Sequence, residues 1–367
     1  MSSNIDIAII GGGSAGMSLA ANLAKLSPPP NTRVFEPATR EARACHWSLW
    51  ANEQQATSLR AAVKGRWQRW QLMDTKRRVV HNGGPLSYVS LSSKDYLSHC
   101  ADQLNDAVQV VPVGVDTVIP CAEGQRLQAG EHAYLATHVF DSRPPKVDSN
   151  GLLQHFFGYE IRTRAPVTDA GIVTLMDFRV DQSRGLHFIY VLPFSRHHLL
   201  VESTMISKTH EPEHWYTTAI EKWLDARGIS VSEQLAQEVG SIPMCAVSAQ
   251  DPALASIGAA GGALRRSSGY AFSYIQRQTT ELAARIHAGH YDVPAPISKQ
   301  IIFMDDLFNR VLIEYPELAS NVFMDMASSL TGEQFARFMS GQASVLDWAR
   351  VVWAMPKRPF LKELLRV

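Results

Sequence analysis

The sequence is poor in cysteine, and its positive and negative charges are balanced. Thirty-five basic residues match thirty-five acidic ones, so the chain lacks the overall positive field that draws proteins to nucleic acid. The four cysteines form none of the short paired spacings of a zinc site or a thioredoxin-like motif. His46 and the pair His197 and His198 have no third ligand at a matching spacing. We therefore expect reduced thiols, no nucleic acid and no metal.

Long apolar runs are also missing. The longest apolar stretch, Ile5 to Ala24, contains Asp6, Asn22 and three consecutive glycines, which indicates a strand, a turn and a helix rather than a membrane span. The first residues lack the positive region and apolar stretch of a secretory signal, so we expect no cleaved leader. A cytoplasmic location is the resulting prediction.

A βαβ unit is predicted at the start of the chain. Ile5 to Ile10 form a short, Ile-rich run typical of a strand buried on both faces, and Gly11 interrupts it. The segment from Ser14 to Lys25 has the apolar spacing of a helix and ends before three prolines, which cannot continue it. Thr32 to Glu36 predicts the second strand.

The turn of this unit carries a dinucleotide-binding fingerprint, which consists of Gly11, Gly13, Gly16 and Glu36. Gly11 allows the tight turn, Gly13 lets the backbone approach a pyrophosphate, and Gly16 permits close packing of helix on strand. The helix N-terminus, with Ser14 and Ala15, offers its amides to the phosphates. Glu36 is expected to accept hydrogen bonds from the adenosine ribose. The alternative is a glycine-rich turn without a nucleotide.

A second glycine-rich segment, late in the chain, favours FAD over a free nicotinamide nucleotide. It runs from Gly258 to Gly262 and precedes a predicted helix. In FAD folds of the Rossmann type, a late strand and helix return to hold the pyrophosphate and the flavin. We therefore predict further cofactor contacts from Gly261, Gly262, Ser268, Gly269 and Tyr270.

The whole pattern predicts an α/β protein of interleaved domains. We assign residues 1–150 to the first part of a Rossmann-type, GR2-like FAD-binding domain and residues 151–245 to a β-sheet substrate domain. Residues 246–300 form the return segment, and residues 301–367 form a helical C-terminal region. The pattern also predicts strands at residues 108–113, 115–119, 133–140, 172–176, 186–192 and 198–204, and helices at residues 211–224 and 272–288.

Motifs along nearly the whole chain resemble one family, the bacterial flavin-dependent lycopene cyclases of carotenoid biosynthesis. The most specific block comprises Met176 to Arg179, Phe188 to Pro193 and Leu200 to Thr204, which is similar to the family's Met-Asp, Tyr-x-Leu-Pro and acid-x-Thr sequence. Supporting matches are Cys45 to Trp50, Tyr88 to Ser93, Glu238 to Met244, and Ser268 to Tyr270. The chain departs from the family at Ser203, where a second acid is common, and at Pro144, where Gly is usual.

The resemblance implies an isomerisation of a hydrophobic polyene. A linear end group is protonated at its terminal double bond, a neighbouring alkene captures the cation, and loss of a proton leaves a β-ring. No net redox change occurs. The resemblance also implies that FAD must be reduced to stabilise the cation, with NADPH as an external reductant.

The acid for this reaction must be neutral, and burial raises a carboxyl pKa by disfavouring the charged form. The family's acid-x-Thr motif corresponds to Glu202, the first candidate, which is alternatively an exposed strand residue. Glu160 and Asp177 are the second candidates. The alternative for both is a structural ion pair with Arg162 or Arg179.

Aromatic and interfacial residues complete the prediction. Cation–π attraction favours a tunnel wall for the passing cation that includes Trp47, Phe188, Tyr190 and Tyr270. Docking on a membrane surface is expected through C-terminal apolar and basic residues, and the alternative is a helix packed on the core. These residues are Trp348, Val351, Val352, Trp353, Phe360, Leu361, Leu364 and Leu365, with Arg350, Lys357, Arg358, Lys362 and Arg366.

Three other functions fit parts of this pattern. The first is a flavin monooxygenase or halogenase of the same cofactor fold, which would consume NADPH and oxygen in proportion to product. The second is a cyclase of another isoprenoid. The third is a carotenoid- or lipid-binding relative that retains flavin for structure.

Overall fold

Two seven-stranded sheets form the framework of the protein, and a computed structural model describes residues 3–38, 44–148 and 150–366. In these residues the helices are α1 (Ser14–Leu23), α2 (Glu53–Ser58), α3 (Ser93–Ala101), α4 (Glu213–Asp225), α5 (Phe272–His287), α6 (Lys299–Glu314), α7 (Ala319–Ser329), α8 (Gly332–Met339), α9 (Val345–Ala354) and α10 (Lys357–Leu364). A 3-10 turn at Pro316–Leu318 joins α6 to α7.

The strands of the described residues are β1 (Ser3–Ile10), β2 (Thr32–Phe35), β3 (His46–Ala51), β4 (Val63–Trp67), β5 (Arg69–Met73), β6 (Arg78–Asn82), β7 (Ser87–Ser92), β8 (Val108–Val111), β9 (Thr117–Cys121), β10 (Gly124–Ala129), β11 (His132–Asp141), β12 (Lys146–Val147), β13 (Leu153–Thr163), β14 (Ile172–Asp177), β15 (Leu186–Ser195), β16 (His198–Ser207), β17 (Val231–Pro243), β18 (Val247–Ser248) and β19 (Ala255–Ser256).

The first sheet contains the N-terminal βαβ unit. Its order is β8-β2-β1-β11-β10-β9, with β19 paired to β11. Strands β8, β2, β1 and β11 run parallel, while β10 and β9 extend the sheet in antiparallel pairs. Ile7 and Ile9 pack with residues of α1 and α5, whereas Ala8 and Ile10 belong to a separate cluster with β10 and β11. Burial of both faces explains the nearly continuous apolar sequence of β1.

The second sheet has the order β17-β13-β16-β15-β14-β5-β6, and its pairs are antiparallel except for β14 with β5. Side chains alternate across it. One face packs on α4, where Tyr216 and Ile220 join Val201 and Met205 in a single cluster. The opposite face contributes Phe188 and Ile206 to a cluster with α7 and α8. A smaller sheet, β3-β7-β4, lies beside this second face.

The C-terminal helices cover the far end of the second sheet. Phe335 of α8 packs against Trp50 and Trp70, with ring centroids 5.8 Å and 6.3 Å away. Helices α6 and α10 contact each other, as do α7 and α9. None of the helices in the described residues has the length and apolarity that a bilayer crossing requires.

Most of the predicted elements are present, with shifted ends. The strand predicted at residues 115–119 begins at Thr117, because Val113 and Val115 pack in a loop between β8 and β9. The helix predicted at residues 211–224 begins at Glu213, after Pro212. The predicted strand ranges did not include β3 to β7, β10, β13 or β17, or the two-residue strands β12, β18 and β19.

The predicted boundary at residue 150 does not separate the sheets. Strands β5 and β6 lie in the first third of the chain but pair into the second sheet beside β14. Residues 1–150 therefore contribute to both the predicted cofactor domain and the predicted substrate domain.

Candidate active site

The turn between β1 and α1 has the geometry of a phosphate-binding loop. Gly11 adopts a positive φ of 98°, which glycine tolerates without strain. A Cβ on Gly16 would lie 2.0 Å from the carbonyl oxygen of Gly11, so only glycine permits this approach of helix to strand. Gly13 is the N-cap of α1 and provides no side-chain cap for the amides of Ser14, Ala15 and Gly16. Their orientation toward the turn fits an anionic pyrophosphate.

Glu36 is held beside the same turn. Its carboxylate accepts hydrogen bonds from the amides of Gly12, at 2.6 Å, and Ala38, at 2.9 Å. These bonds fix the side chain at the carboxyl end of β2, which is the ribose position of the dinucleotide motif. The fingerprint residues therefore fit the adenosine half of FAD.

The late glycine-rich segment returns to this turn. Strand β19 pairs with the end of β11, and the Cβ position of Gly258 lies 2.8 Å from Cβ of Ala15. Gln278 of α5 fixes the loop, because its side chain accepts from the Gly258 amide at 2.7 Å and donates to the Gly261 carbonyl at 2.8 Å. Gly261 and the following Gly262 thus belong to a segment adjacent to the N-terminus of α1.

Ser268, Gly269 and Tyr270 occupy a different place. All three line a cavity of about 370 Å³ between the first sheet, the second sheet and the C-terminal helices. The Tyr270 hydroxyl lies 2.9 Å from that of Tyr88, which in turn lies 3.0 Å from that of Tyr190. These predicted cofactor residues therefore form part of a cavity wall rather than of the phosphate loop.

Most of the cavity wall is apolar or aromatic. The four aromatic residues predicted for a tunnel wall, Trp47, Phe188, Tyr190 and Tyr270, all lie there. Trp47 stacks on Phe272 with a centroid distance of 5.7 Å. Ala259 of the return segment lines the same space, so the cavity extends from the predicted flavin side to the second sheet.

Two carboxyl groups project into this cavity across a glycine. Gly158 of β13 is paired on one side with Glu202 of β16 and on the other with Glu238 of β17. A Cβ on Gly158 would lie 2.5 Å from Cγ of Glu202, so the missing side chain provides the room that the Glu202 side chain occupies. Both acids line the cavity.

The surroundings of Glu202 favour its neutral form. Burial, and secondarily the negative charge of Glu238, raises the pKa of Glu202 well above its usual value. Within the described parts of the chain no basic side chain pairs with it. Glu202 is thus a buried acid whose surroundings favour its protonated form, and the alternative of an exposed strand residue is wrong, because only 8% of it is exposed.

Glu238 differs from Glu202 because His46 contacts it twice. The His46 amide donates to Glu238 at 3.0 Å, and Nδ1 of the ring lies 2.6 Å from its other oxygen. Nε2 of His46 lies 3.0 Å from Nζ of Lys64, and Lys64 can only donate, so Nε2 accepts this hydrogen bond. The ring proton is therefore on Nδ1, which donates a hydrogen bond to Glu238. The cavity therefore contains an acid whose surroundings favour its neutral form beside a second acid that accepts hydrogen bonds from His46.

Glu160 lies at the Lys64 end of this network. Lys64 donates to it at 2.6 Å, and Nε2 of His198 lies 2.6 Å from its other oxygen. Although burial opposes ionisation, the hydrogen bond and charge of Lys64 and the contact with His198 lower the pKa of Glu160. Glu160 is not among the residues that line the cavity. The lowered pKa favours an ionised Glu160, which does not fit the predicted role of proton donor. Glu160 pairs with Lys64 rather than with Arg162.

Asp177 faces the opposite side of the second sheet. Arg179 and Arg227 form ion pairs with it at 2.9 Å and 2.5 Å, and Trp223 of α4 donates at 2.9 Å. Burial opposes ionisation, but these hydrogen bonds and charges lower the pKa of Asp177. The ion-pair alternative with Arg179 is the one that the geometry supports.

Ser203, the departure from the family motif, also faces away from the cavity. Its hydroxyl lies 2.9 Å from Nε2 of His187 on the α4 side of the sheet. The second acid of the cavity is Glu238, from a different strand. Glu238 and Gly158 were not predicted, because their proximity to Glu202 depends on strand order, although Glu238 begins a motif that matched the family.

Comparisons with known proteins bear on the family and the fold of this chain. A family model described as lycopene cyclase protein matches residues 6–365. The chain is 23% identical to the lycopene beta-cyclase of Pseudescherichia vulneris, covering 96% of this chain and 95% of that one. It is 24% identical to the lycopene beta-cyclase of Pantoea ananas, covering 99% and 98%.

Among solved structures, the flavin-dependent brominase Bmp2 has the same fold. The TM-score is 0.64 at 15% identity, and the match covers 99% of this chain and 100% of the brominase. The prediction of an α/β fold of the Rossmann-type flavoprotein class is therefore confirmed. Since the family model spans nearly every residue, the chain belongs to the lycopene cyclase protein family.

Proposed function

We propose that this protein is a lycopene beta-cyclase-like enzyme, which cyclises the linear end groups of lycopene or a related polyene by acid catalysis. The observation that carries the proposal is the buried Glu202 side chain inside a mostly apolar cavity, where burial raises its pKa, with Glu238 across Gly158. Protonation of an alkene needs a neutral acid shielded from water, and the surroundings of Glu202 meet both conditions.

In the proposed reaction, Glu202 donates its proton to the terminal double bond. A neighbouring double bond then closes the ring, and the positive charge lies in a cavity lined by Trp47, Tyr190 and Tyr270. Glu238 is the nearby carboxylate suited to remove a ring proton. One proton enters the substrate and one leaves, so the product is an isomer.

FAD is the proposed cofactor. The turn at Gly11, Gly13 and Gly16, with Glu36, would hold the adenosine and pyrophosphate, and the return segment would close over them. When bound in reduced form, FAD would supply electron density that stabilises the cation, and NADPH would serve as external reductant. The residues of the chain bind the cofactor, orient the substrate and move the proton.

A membrane surface is the proposed source of substrate, since a long hydrocarbon dissolves in lipid. The C-terminal helices expose apolar side chains, and Trp353 is 82% exposed and Leu365 is 87% exposed. Basic residues lie among them, including Arg358 and Lys362. That mixture favours the interface of a bilayer containing anionic lipid.

The test is anaerobic incubation of the purified protein with lycopene in liposomes, with FAD and enough dithionite or NADPH to bleach the flavin. Chromatography should show cyclic carotenes with the natural chain and none with Glu202→Gln. Glu233→Gln is the matched control, because Glu233 is an exposed acid on β17, and it should retain full activity.

Two results would contradict the proposal. Unchanged lycopene with a stably reduced flavin would point to another isoprenoid. Consumption of NADPH and oxygen in proportion to an oxygenated or halogenated product would identify a monooxygenase or halogenase of the same fold.

A further inference from the structure

A second cavity lies behind the candidate active site, among the C-terminal helices. Its volume is about 360 Å³, and its wall is formed by residues of α6, α7, α8, α9 and α10. Five residues line both this cavity and the active-site cavity: Ser267, Ser268, Phe323, Met326 and Met339. The partition between the two spaces is therefore one side chain thick.

The chemistry of the second cavity selects a hydrocarbon. Its charged inner residues, Arg265 and Asp305, pair with each other through bonds of 2.8 Å and 2.9 Å, and Ser267 donates to Asp305 at 2.7 Å. Their polar atoms are already engaged, so a polar ligand would find few partners. Met326 and Met339 have flexible thioether chains, which can make way for a ligand that crosses the partition.

The outer end of the second cavity reaches the protein surface. Val352 of α9 and Leu361 of α10 line it and are 48% and 56% exposed. Phe303 and Leu364 also line it while remaining partly exposed. The opening thus lies within the same apolar and basic face that is proposed to contact the membrane.

We propose that the second cavity is a binding site for the unreacted length of a long linear polyene, which enters from the bilayer between α9 and α10. The reacting end group then crosses the partition at Met326 and Met339 and reaches Glu202. This inference rests on the proposed function, and it separates the recognition of substrate length from the chemistry at the end group.

Filling the second cavity tests the inference. Val351→Trp places a large ring into its wall, since Val351 is buried and lines it. Turnover is compared for lycopene and for a truncated polyene that keeps one intact end group. We expect kcat/KM for lycopene to fall about tenfold or more, and that for the short analogue to change less than about twofold.

Val345→Trp is the matched control, because Val345 lies on the same helix and is 84% exposed. It should leave both substrates unaffected. If Val351→Trp lowers turnover of the short analogue, Met355→Phe, a smaller change in the same wall, takes its place. Equal losses for both substrates in both variants would overturn the inference. Failure of the natural chain to convert either substrate would instead refute the proposed function.

Discussion

The raised pKa of Glu202 lowers the free energy of unfolding at neutral pH. A carboxyl whose pKa is raised on folding keeps its proton in the folded state and loses it in the unfolded chain above the ordinary pKa. Folding then takes up a proton, so the stability present at low pH decreases as pH rises between the unfolded and folded pKa values. The residue required by the proposed chemistry therefore destabilises the protein at neutral and alkaline pH.

Glu202→Gln should abolish cyclisation and raise the melting temperature by a few degrees at neutral pH, because Gln needs no proton uptake. The difference should grow from acidic to mildly alkaline pH and vanish below the ordinary pKa of glutamate. Thermal melts of both proteins across this range are the measurement. A variant that is less stable than the natural chain at every pH would disprove the neutral state of Glu202.

Glu238→Gln removes the neighbouring negative charge that helps raise the pKa of Glu202. Activity needs Glu202 protonated, so it is lost as pH rises through that pKa, and in this variant the loss should begin at lower pH. We also expect kcat to fall at least about tenfold, since a positioned base contributes on this order or more. Glu238→Asp should restore part of the lost kcat and part of the shift in the pH profile. An unchanged pH profile in Glu238→Gln would exclude electrostatic coupling of Glu202 and Glu238.

The candidate acid Glu202 was named from the sequence, but its surroundings were not predictable. The motif around Glu202 matched the family, and alternation along β16 separates Glu202 from Ser203, which lies on the opposite face. The second acid depends on which strand pairs with β13. That choice rests on contacts between residues far apart in the chain, which a single sequence does not reveal.

At the scale of elements, strands β17, β13 and β16 bring the two acids together. Gly158→Ala would introduce a Cβ only 2.5 Å from Glu202 Cγ. The crowding should displace Glu202, reduce activity at least about tenfold, and lower stability by about 1–3 kcal/mol, the usual cost of overpacking. Steady-state kinetics and denaturant unfolding measure the two effects.

Gly114→Ala is the control for this prediction, because its nearest neighbour atom would be Pro37 Cγ at an ordinary 3.7 Å. It should match the natural chain in activity. Full activity in Gly158→Ala would show that the space between the acids is not needed.

Elements with a strong local signal were predicted well, and those defined by tertiary contacts were not. Strand β1 has a continuous apolar run and helix α5 has a clear helical apolar period, and both were found near their predicted limits. Strand β17 has mostly exposed side chains and is stabilised by its pairing with β13, so its sequence has little apolar alternation. Strands β3 to β7 are short, and they are divided between the small sheet β3-β7-β4 and the edge of the second sheet, where β5 and β6 pair beside β14.

At the scale of the whole molecule, the net charge is zero, so any attraction to anionic membranes is local. Lys362→Glu, on the exposed side of α10, should weaken binding to anionic vesicles about fivefold or more, since each basic residue near the surface contributes about 1 kcal/mol. Vesicle co-sedimentation at several salt concentrations measures this. Lys76→Glu is the control, because it makes the same change of net charge in the exposed turn between β5 and β6, remote in sequence from α10. Equal weakening of vesicle binding by the two variants would refute a defined membrane face.

The pairing of β5 and β6 with β14 has a consequence during synthesis. Both strands leave the ribosome well before β14, beside which they complete the second sheet. Trp70 and Leu72, fully buried in the finished protein, stay uncovered for that interval. Exposed apolar strand edges promote aggregation, so we expect the nascent chain to be prone to aggregation until β14 has been synthesised. Chimaeras between relatives that exchange only residues 151–245 would divide this sheet between two parents.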